Sequence, residues 1–206
     1  AIAWIIGTAG LYFALPNFVL IPWWMTFLVL TIAGERLELS RFRQPSRLAV
    51  GCFIVLGASY FLASVATLLT FIVDVTAKIR STEFGDRFAS EWWEVSQSTM
   101  GLSAVGMSLW LVRYDLARSA LKRPGLSRFT AVCLLVGYVW LAVSGVTTLL
   151  APTVIGGPWH DSRLHAVFLG FVLSMVFGHA LIIGPGVFGV ALKFHRSFYV
   201  ALITLH

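Results

Sequence analysis

Apolar and polar residues alternate along this chain in long blocks. The longest apolar runs cover residues 18–34, 48–73, 129–150 and 164–192, and short stretches rich in charged residues separate them. A helix needs about 20 mostly apolar residues to cross the hydrocarbon core of a bilayer, and these runs reach or approach that length. The pattern therefore predicts an all-α protein, a polytopic bundle of transmembrane helices.

Three further runs bring the predicted number of membrane segments to six or seven. Residues 96–112 form a marginal segment, residues 1–14 are a short apolar run, and another run starts at residue 197. The first and last of these are too short to span a bilayer, which needs about 20 residues. We expect one transmembrane helical domain over residues 1–206, and we expect the chain to be a fragment of a larger bundle.

Charge divides the loops between these segments into two classes. Loops 35–47, 113–128 and 193–196 hold 11 of the 15 basic residues and three acidic residues, whereas the alternate loops hold four basic and six acidic residues. Lysine and arginine are retained on the cytoplasmic side of a membrane during insertion. The three basic loops are therefore predicted to be cytoplasmic, in a multi-pass protein of the bacterial inner membrane.

The composition limits the expected partners. Hydrophobic residues make up 58% of the chain and charged residues only 12%, about half the charged fraction of a typical soluble domain. The lipid bilayer and other membrane subunits are the expected partners. A net charge of +6 could indicate nucleic-acid binding, but the basic residues sit in the loops instead of forming one stripe. Nucleic-acid binding is therefore not predicted.

The run over residues 164–192 contains the candidate chemistry. His165 and His179 are fourteen residues apart, so in an α-helix they fall within about 40° of each other on one face. Neutral imidazoles on an apolar wall suit a b-type heme, because the Nε2 atom binds iron while hydrocarbon contacts the porphyrin. His206, about ten residues into the last run, is a further candidate ligand.

Other interpretations remain open at this stage. A histidine near a helix end can instead form a hydrogen bond to a neighbouring helix. Small residues also recur along the segments and allow helices to approach closely, as at Ala166, Gly170, Ser174 and Gly178, and at Gly101, Ser103, Ala104, Gly106 and Ser108. These faces favour a second hypothesis, a non-catalytic structural subunit of a larger membrane complex.

Transport and enzymatic activity have weaker support. The predicted segments before residue 164 contain no charged residue, and ion-coupled transport paths usually need ionisable groups within the membrane. A transporter is therefore the less favoured hypothesis. The sequence also contains no His-Glu-x-x-His, Cys-x-x-Cys or phosphate-loop motif that would define a catalytic site. Whether the protein is an enzyme stays undecided.

Two stretches of sequence carry a family resemblance. Residues 161–179 read DSRLHAVFLGFVLSMVFGH and residues 34–41 read GERLELSR. They resemble bacterial polytopic membrane proteins related to heme-copper oxidase subunit I and to the NnrS-type heme proteins. The resemblance implies heme as a cofactor, His165 and His179 as its ligands with His206 as a third candidate, and a role in electron transfer or in nitrogen-oxide or oxygen chemistry. The chain has no adjacent His-His pair and no His-x-His, so a copper site is not supported.

Overall fold

A computed structural model describes residues 1–80, 83–189 and 194–206, and the regular structure of these residues is helical. It comprises α1 (Ile2–Tyr12), α2 (Asn17–Ser40), α3 (Arg47–Arg80), α4 (Glu83–Tyr114), α5 (Ala117–Ala120), α6 (Leu126–Leu150), α7 (Pro158–His165), α8 (Leu173–Phe188) and α9 (Ser197–Leu205). A π-helical segment, Ala166–Val172, joins α7 directly to α8. Residues 158–188 thus form one continuous rod, the histidine rod. The predicted all-α class is confirmed.

Contacts at the two ends of the bundle give the relative directions of the long helices. At one end, which we call the Trp93 end, the ring of Phe18 packs edge-on against Phe71 and Trp93, so the start of α2 meets the last part of α3 and the first part of α4. At the other, the Trp110 end, the indole N–H of Trp110 donates to the carbonyl of Ala49 at 2.7 Å. Consecutive long helices are therefore antiparallel.

Within the described residues, four helices are long and apolar enough to cross a membrane. They are Asn17–Arg43, Arg47–Arg80, Leu126–Leu150 and Pro158–Gly184, and each contains one of the four long runs, apart from the last residues of the run over 164–192. Helix α1 is apolar but shorter, and α4, which contains the marginal segment 96–112, is not among the four. The four helices indicate a membrane protein.

The distribution of side chains agrees with a lipid environment. Large aliphatic residues are exposed along the outside of the bundle, among them Ile54, Leu62, Leu69, Leu102, Leu109 and Ile182. Small hydroxyl residues are buried inside it, among them Thr26, Ser64, Thr67, Ser103, Ser108 and Ser144. A hydroxyl inside a membrane bundle is satisfied by a nearby carbonyl or a second hydroxyl, as where Ser108 donates to the carbonyl of Tyr138 at 2.6 Å.

The small-residue faces pack within this chain. All four positions of the face on the histidine rod, residues 166, 170, 174 and 178, are buried, and the rod lies against α6. A Cβ atom at Gly170 would clash with the ring of Trp140, so only glycine permits this approach. On α4, Gly101, Ser103, Ala104 and Ser108 are buried as well. The close approach predicted for these residues is confirmed, and its partners are helices of this chain.

Helices α3 and α4 continue well past the predicted ends of their membrane segments. Residues 74–95, which separate the predicted segments 48–73 and 96–112, belong to the last turns of α3 and the first turns of α4, apart from residues 81 and 82, which lie outside the described part. Helix α3 has 34 residues and is therefore about 50 Å long, longer than the roughly 30 Å hydrocarbon core. A pair between Lys78 and Asp74 at 2.7 Å supports its last turns.

Candidate functional site

The π-helical segment lies between the two predicted heme ligands. The shared face of His165 and His179 was predicted from a rotation of 100° per residue, which holds for an α-helix. The seven residues of Ala166–Val172 form the wider turns of a π-helix, whose i→i+5 bonds give less rotation per residue. The two imidazoles consequently face different surroundings: His165 is exposed, and His179 is half-buried against α2. The structure therefore does not give the two imidazoles the shared apolar wall that was predicted.

His165 has one nitrogen engaged and one free of hydrogen bonds to the described residues. Its Nδ1 atom lies 2.7 Å from the carbonyl oxygen of Asp161, one turn earlier. Because a carbonyl only accepts, Nδ1 carries the hydrogen and Nε2 keeps its lone pair. A hydrogen bond of this kind fixes the ring orientation of metal-binding histidines. The side chain projects from a membrane-length helix beside exposed Leu169.

His179 lies at the Trp110 end, and both its nitrogens are engaged. The guanidinium of Arg36, on α2, donates to Nε2 at 2.7 Å, and Nδ1 lies 2.6 Å from the carbonyl of Met175. Arginine has no acceptor, so Nε2 must be the acceptor and Nδ1 the donor. The Nε2 lone pair, which would otherwise be free to bind a metal, therefore accepts the hydrogen bond from Arg36.

His206 lies apart from both of these histidines. Its Nε2 atom is 3.0 Å from the hydroxyl of Ser174, and its ring stacks on Trp140 with the ring centres 5.7 Å apart. Within the described part of the chain, no group of three or more His, Cys, Asp or Glu side chains could hold a metal ion. The structure thus gives the three predicted ligands three separate environments, and of the three only His165 has an Nε2 atom free of hydrogen bonds to described residues.

Arg36 belongs to a buried polar cluster that the sequence did not predict. It is 5% exposed, and its Nε–H has no acceptor among the described residues. Its guanidinium also reaches the exposed Glu35 carboxylate at 3.2 Å. Nearby on α6, the hydroxyl of Tyr138 interacts electrostatically with Arg36 and donates to the carboxylate of Asp115 at 2.9 Å. We call Arg36, His179, Tyr138 and Asp115 the Arg36 cluster.

A second buried arginine lies toward the Trp93 end. Arg163 is 7% exposed; its guanidinium donates to the carbonyl of Val154 at 2.7 Å, to Nδ1 of His160 at 2.6 Å and to the side-chain oxygen of Gln97 at 3.4 Å. The predicted apolar run starts at residue 164, so Arg163 was predicted to lie in the preceding loop. Helix α7 begins at Pro158, and proline is favoured in the first turn of a helix, so Pro158 was the signal that the helix includes Arg163.

These two arginines change one argument about function. The predicted interior without charged residues weighed against transport. The interior of the described bundle contains Arg36, Arg163 and Asp115, each less than a tenth exposed. The interior is therefore not free of charge, and its charge content no longer weighs against transport.

The fold and this site define, for the described residues, an all-helical membrane protein with two buried arginine clusters and an exposed histidine, His165, that a backbone carbonyl orients. The chain belongs to the family described as "Domain of unknown function (DUF8744)", whose sequence model matches residues 1–206. No curated protein matches the chain. No solved structure matches it either.

Proposed function

We propose that this protein is a multi-pass protein of the bacterial inner membrane that binds heme b through His165 and takes part in electron transfer or in nitrogen-oxide or oxygen chemistry. The observation that carries the proposal is the state of His165. Its Nδ1 atom is held by the Asp161 carbonyl at 2.7 Å, and its Nε2 lone pair is free of hydrogen bonds to the described residues. Such a ring is already oriented to bind iron.

The surroundings of His165 support a site on the outside of the bundle. Leu169 and Val176, farther along the histidine rod, are exposed and would contact a porphyrin that lies against this surface. An exposed imidazole on a membrane-length helix is costly to leave against lipid, so a cofactor or another helix must cover it. Heme there would supply one-electron redox chemistry, and the residues of this chain would hold and orient it.

The other two candidates fit heme less well in this arrangement. His179 would become a ligand only if Arg36 released its Nε2 atom, which Arg36 contacts at 2.7 Å. His206 is stacked on Trp140. We therefore place the heme site of this proposal on His165 alone.

Heme binding can be measured on the chain purified from heme-replete bacterial membranes. We expect a Soret band and a reduced α-band of b-type heme, with about one heme per chain, and we expect His165→Ala to lose most of this absorbance because the Nε2 ligand is removed. His195→Ala is the matched control, since His195 is exposed and lies outside the histidine rod. It should keep the heme.

Two results would contradict the proposal. One is a wild-type protein that stays colourless after purification from heme-replete cells, and the other is a His165→Ala variant that keeps its full heme content. A colourless protein that copurifies stoichiometrically with other membrane proteins would favour the alternative, a non-catalytic subunit. In that case a neighbouring helix would cover His165.

The proposed topology has its own test. We place loops 35–47, 113–128 and 193–196 in the cytoplasm because of their arginine and lysine content. In a chain whose two cysteines are replaced by alanine, Gly156→Cys should react with a membrane-impermeant maleimide in intact spheroplasts. Arg123→Cys should react only after permeabilisation. Labelling of both sites from the same side would exclude this multi-pass arrangement.

A further inference from the structure

Arg163 carries a buried charge without a carboxylate to balance it. The described ion pairs link Arg36 to Glu35 and Lys78 to Asp74, and within the described residues no carboxylate lies within ion-pair distance of Arg163. Its three hydrogen-bond partners, a carbonyl, an imidazole and an amide, are all neutral. A buried cation costs several kcal/mol unless a charge of opposite sign accompanies it. The structure therefore calls for an anion near this guanidinium.

A cavity opens next to this arginine inside the bundle. It has a volume of about 20 Å³, and its polar lining includes Tyr60, Gln97, His160 and Arg163. Apolar side chains of α2 and α4, such as Met25 and Met100, close the rest of the wall. A cavity needs at least about 10–15 Å³ to hold one water-sized particle. The space therefore suits one small ion or one water molecule and excludes a large ligand.

The polar groups around the cavity are mainly hydrogen-bond donors. Arg163 donates to Nδ1 of His160, so His160 must carry its own hydrogen on Nε2. The hydroxyl of Tyr60 interacts electrostatically with Arg163 and has no hydrogen bond to the described residues. The indole N–H of Trp93, which also lines the cavity, is buried and has no acceptor among the described residues. Spare donors around a cation favour an anion over water.

The side-chain amide of Gln97 is fixed in the orientation that leaves its oxygen to Arg163. Its nitrogen donates to the hydroxyl of Thr67 at 3.1 Å, and that hydroxyl lies 3.3 Å from Ser96. Gln97 and Thr67 are both buried. Arg163 is thus held in place by Gln97, His160 and the carbonyl of Val154, as expected for a preorganised site.

The cavity shares two of its lining residues with a cleft at the Trp93 end of the bundle. A cleft of about 330 Å³ lies there, lined by Phe18, Thr70, Asp74 and Trp93 among others. Phe18 and Trp93 also line the inner cavity, and their rings are in edge-on contact with centres 5.8 Å apart. Movement of these two rings would open the cavity to the cleft.

We propose that the cavity beside Arg163 binds a small monovalent anion, about the size of chloride, which enters from the cleft past Phe18 and Trp93. The anion would accept hydrogen bonds from Arg163 and from the free donors of His160, Tyr60 and Trp93. It would balance the buried charge of Arg163 and so stabilise the position of α7 beside Tyr60 of α3 and Gln97 of α4. The site uses none of the proposed heme ligands and stands whether or not heme is bound.

The test measures chloride binding by the purified full chain in detergent. Sodium chloride is exchanged for sodium gluconate at constant ionic strength, because gluconate is too large for the cavity. We expect a saturable rise of the unfolding temperature with chloride, since a ligand that binds only the folded state stabilises it. In Arg163→Gln the chloride dissociation constant should increase roughly 10- to 100-fold, the usual effect of losing a hydrogen bond from a charged group.

Two variants complete the design. Arg87→Gln, which removes an exposed arginine near the same end of the bundle, should bind chloride like the wild type. Trp93→Phe removes the indole N–H, keeps an aromatic ring in place and should weaken binding several-fold even if Arg163→Gln does not fold. The proposal is wrong if the unfolding temperature of the wild type does not respond to chloride. It is equally wrong if Trp93→Phe and every folded Arg163 variant bind chloride as the wild type does, because the cavity then holds only water.

Discussion

Gly145→Ala is expected to lower the free energy of unfolding by about 1–2 kcal/mol. The overpacking of a tight contact destabilises the fold by more than the higher helix propensity of alanine stabilises it. A Cβ atom at Gly145 on α6 would lie 2.6 Å from the carbonyl oxygen of Gly101 and 3.0 Å from the amide nitrogen of Val105, both on α4. These are backbone atoms, which cannot rotate away. The two helices would have to separate along their whole contact.

Stability can be followed through the thiol of Cys133. This side chain is fully buried between α6 and α9, next to Phe129 and Leu202, so a fluorogenic maleimide reports its exposure on unfolding. Cys52 is exposed and is replaced by alanine in every variant. The Gly145→Ala midpoint should fall by several degrees, since a loss of about 1 kcal/mol lowers the midpoint by about 2–4 °C in a chain of this size.

Gly57→Ala is the matched control for this prediction. Gly57 lies within α3, and the nearest atom to its added Cβ is Leu30 Cδ2 at 3.5 Å, an ordinary contact. The substitution should leave stability unchanged or raise it by up to about 1 kcal/mol, because alanine restricts the unfolded chain. Equal stability of the two variants would mean that α4 and α6 do not touch at Gly101 and Gly145.

The apolar runs predicted where the long helices lie, but they predicted only part of each helix. Helix α6 ends at Leu150, where its run ends, and α3 begins one residue before its run. Helix α3 continues to Arg80 because nothing after the run stops it. Asp74 and Lys78 are one turn apart and pair, and an ion pair at this spacing stabilises a helix outside the membrane. An apolar run marks where lipid lies, whereas glycine, proline and capping residues decide where a helix stops.

The heme face could not be predicted from spacing alone. Fourteen residues place His165 and His179 on one side of an α-helix, but seven π-helical residues between them change the rotation. A π-helix is not marked by particular residue types, because it arises from packing against neighbouring helices. The glycine at residue 170, which allows Trp140 of α6 to come close, lies within this segment. The small-residue face could be recognised in the sequence, whereas the π-helical turns that contain Gly170 could not.

In the sequence, the buried arginines were counted only as part of the positive charge of the loops. The excess of basic residues was used to orient the chain, and that use treats every arginine near a segment end as equivalent. In the structure, Arg36 and Arg163 turn into the bundle, while Arg41 and Arg87 remain exposed. What separates them is the set of acceptors that other helices supply, such as His179 for Arg36 and Gln97 for Arg163. His179 lies 143 residues from Arg36 along the chain, and Gln97 lies 66 residues from Arg163. Local sequence patterns therefore do not identify these partners.

Asp115→Ala is expected to lower the free energy of unfolding by about 2–4 kcal/mol, which is also a large effect for a single substitution. Asp115 follows α4 and is 2% exposed. One carboxylate oxygen accepts the amide N–H of Ala117 at 2.7 Å, and the other accepts the hydroxyl of Tyr138 at 2.9 Å. Its backbone carbonyl also accepts from Arg43 at 3.2 Å. Removing the carboxylate leaves two buried donors without an acceptor, and each costs about 1–3 kcal/mol.

A double-mutant cycle separates this hydrogen bond from the loss of the charge itself. Tyr138→Phe alone should cost about 1 kcal/mol, because the carboxylate keeps the Ala117 amide as a partner. With Asp115→Ala already present, the same change should cost little or even stabilise, since it removes a buried hydroxyl that has lost its acceptor. The two effects should therefore be non-additive by about 1 kcal/mol or more in thermal unfolding. Glu91→Ala, which removes an exposed carboxylate of α4, should change stability by less than about 0.5 kcal/mol. Additive effects of Asp115→Ala and Tyr138→Phe would show that the two side chains are not bonded, and that α6 is anchored to the end of α4 by apolar packing alone.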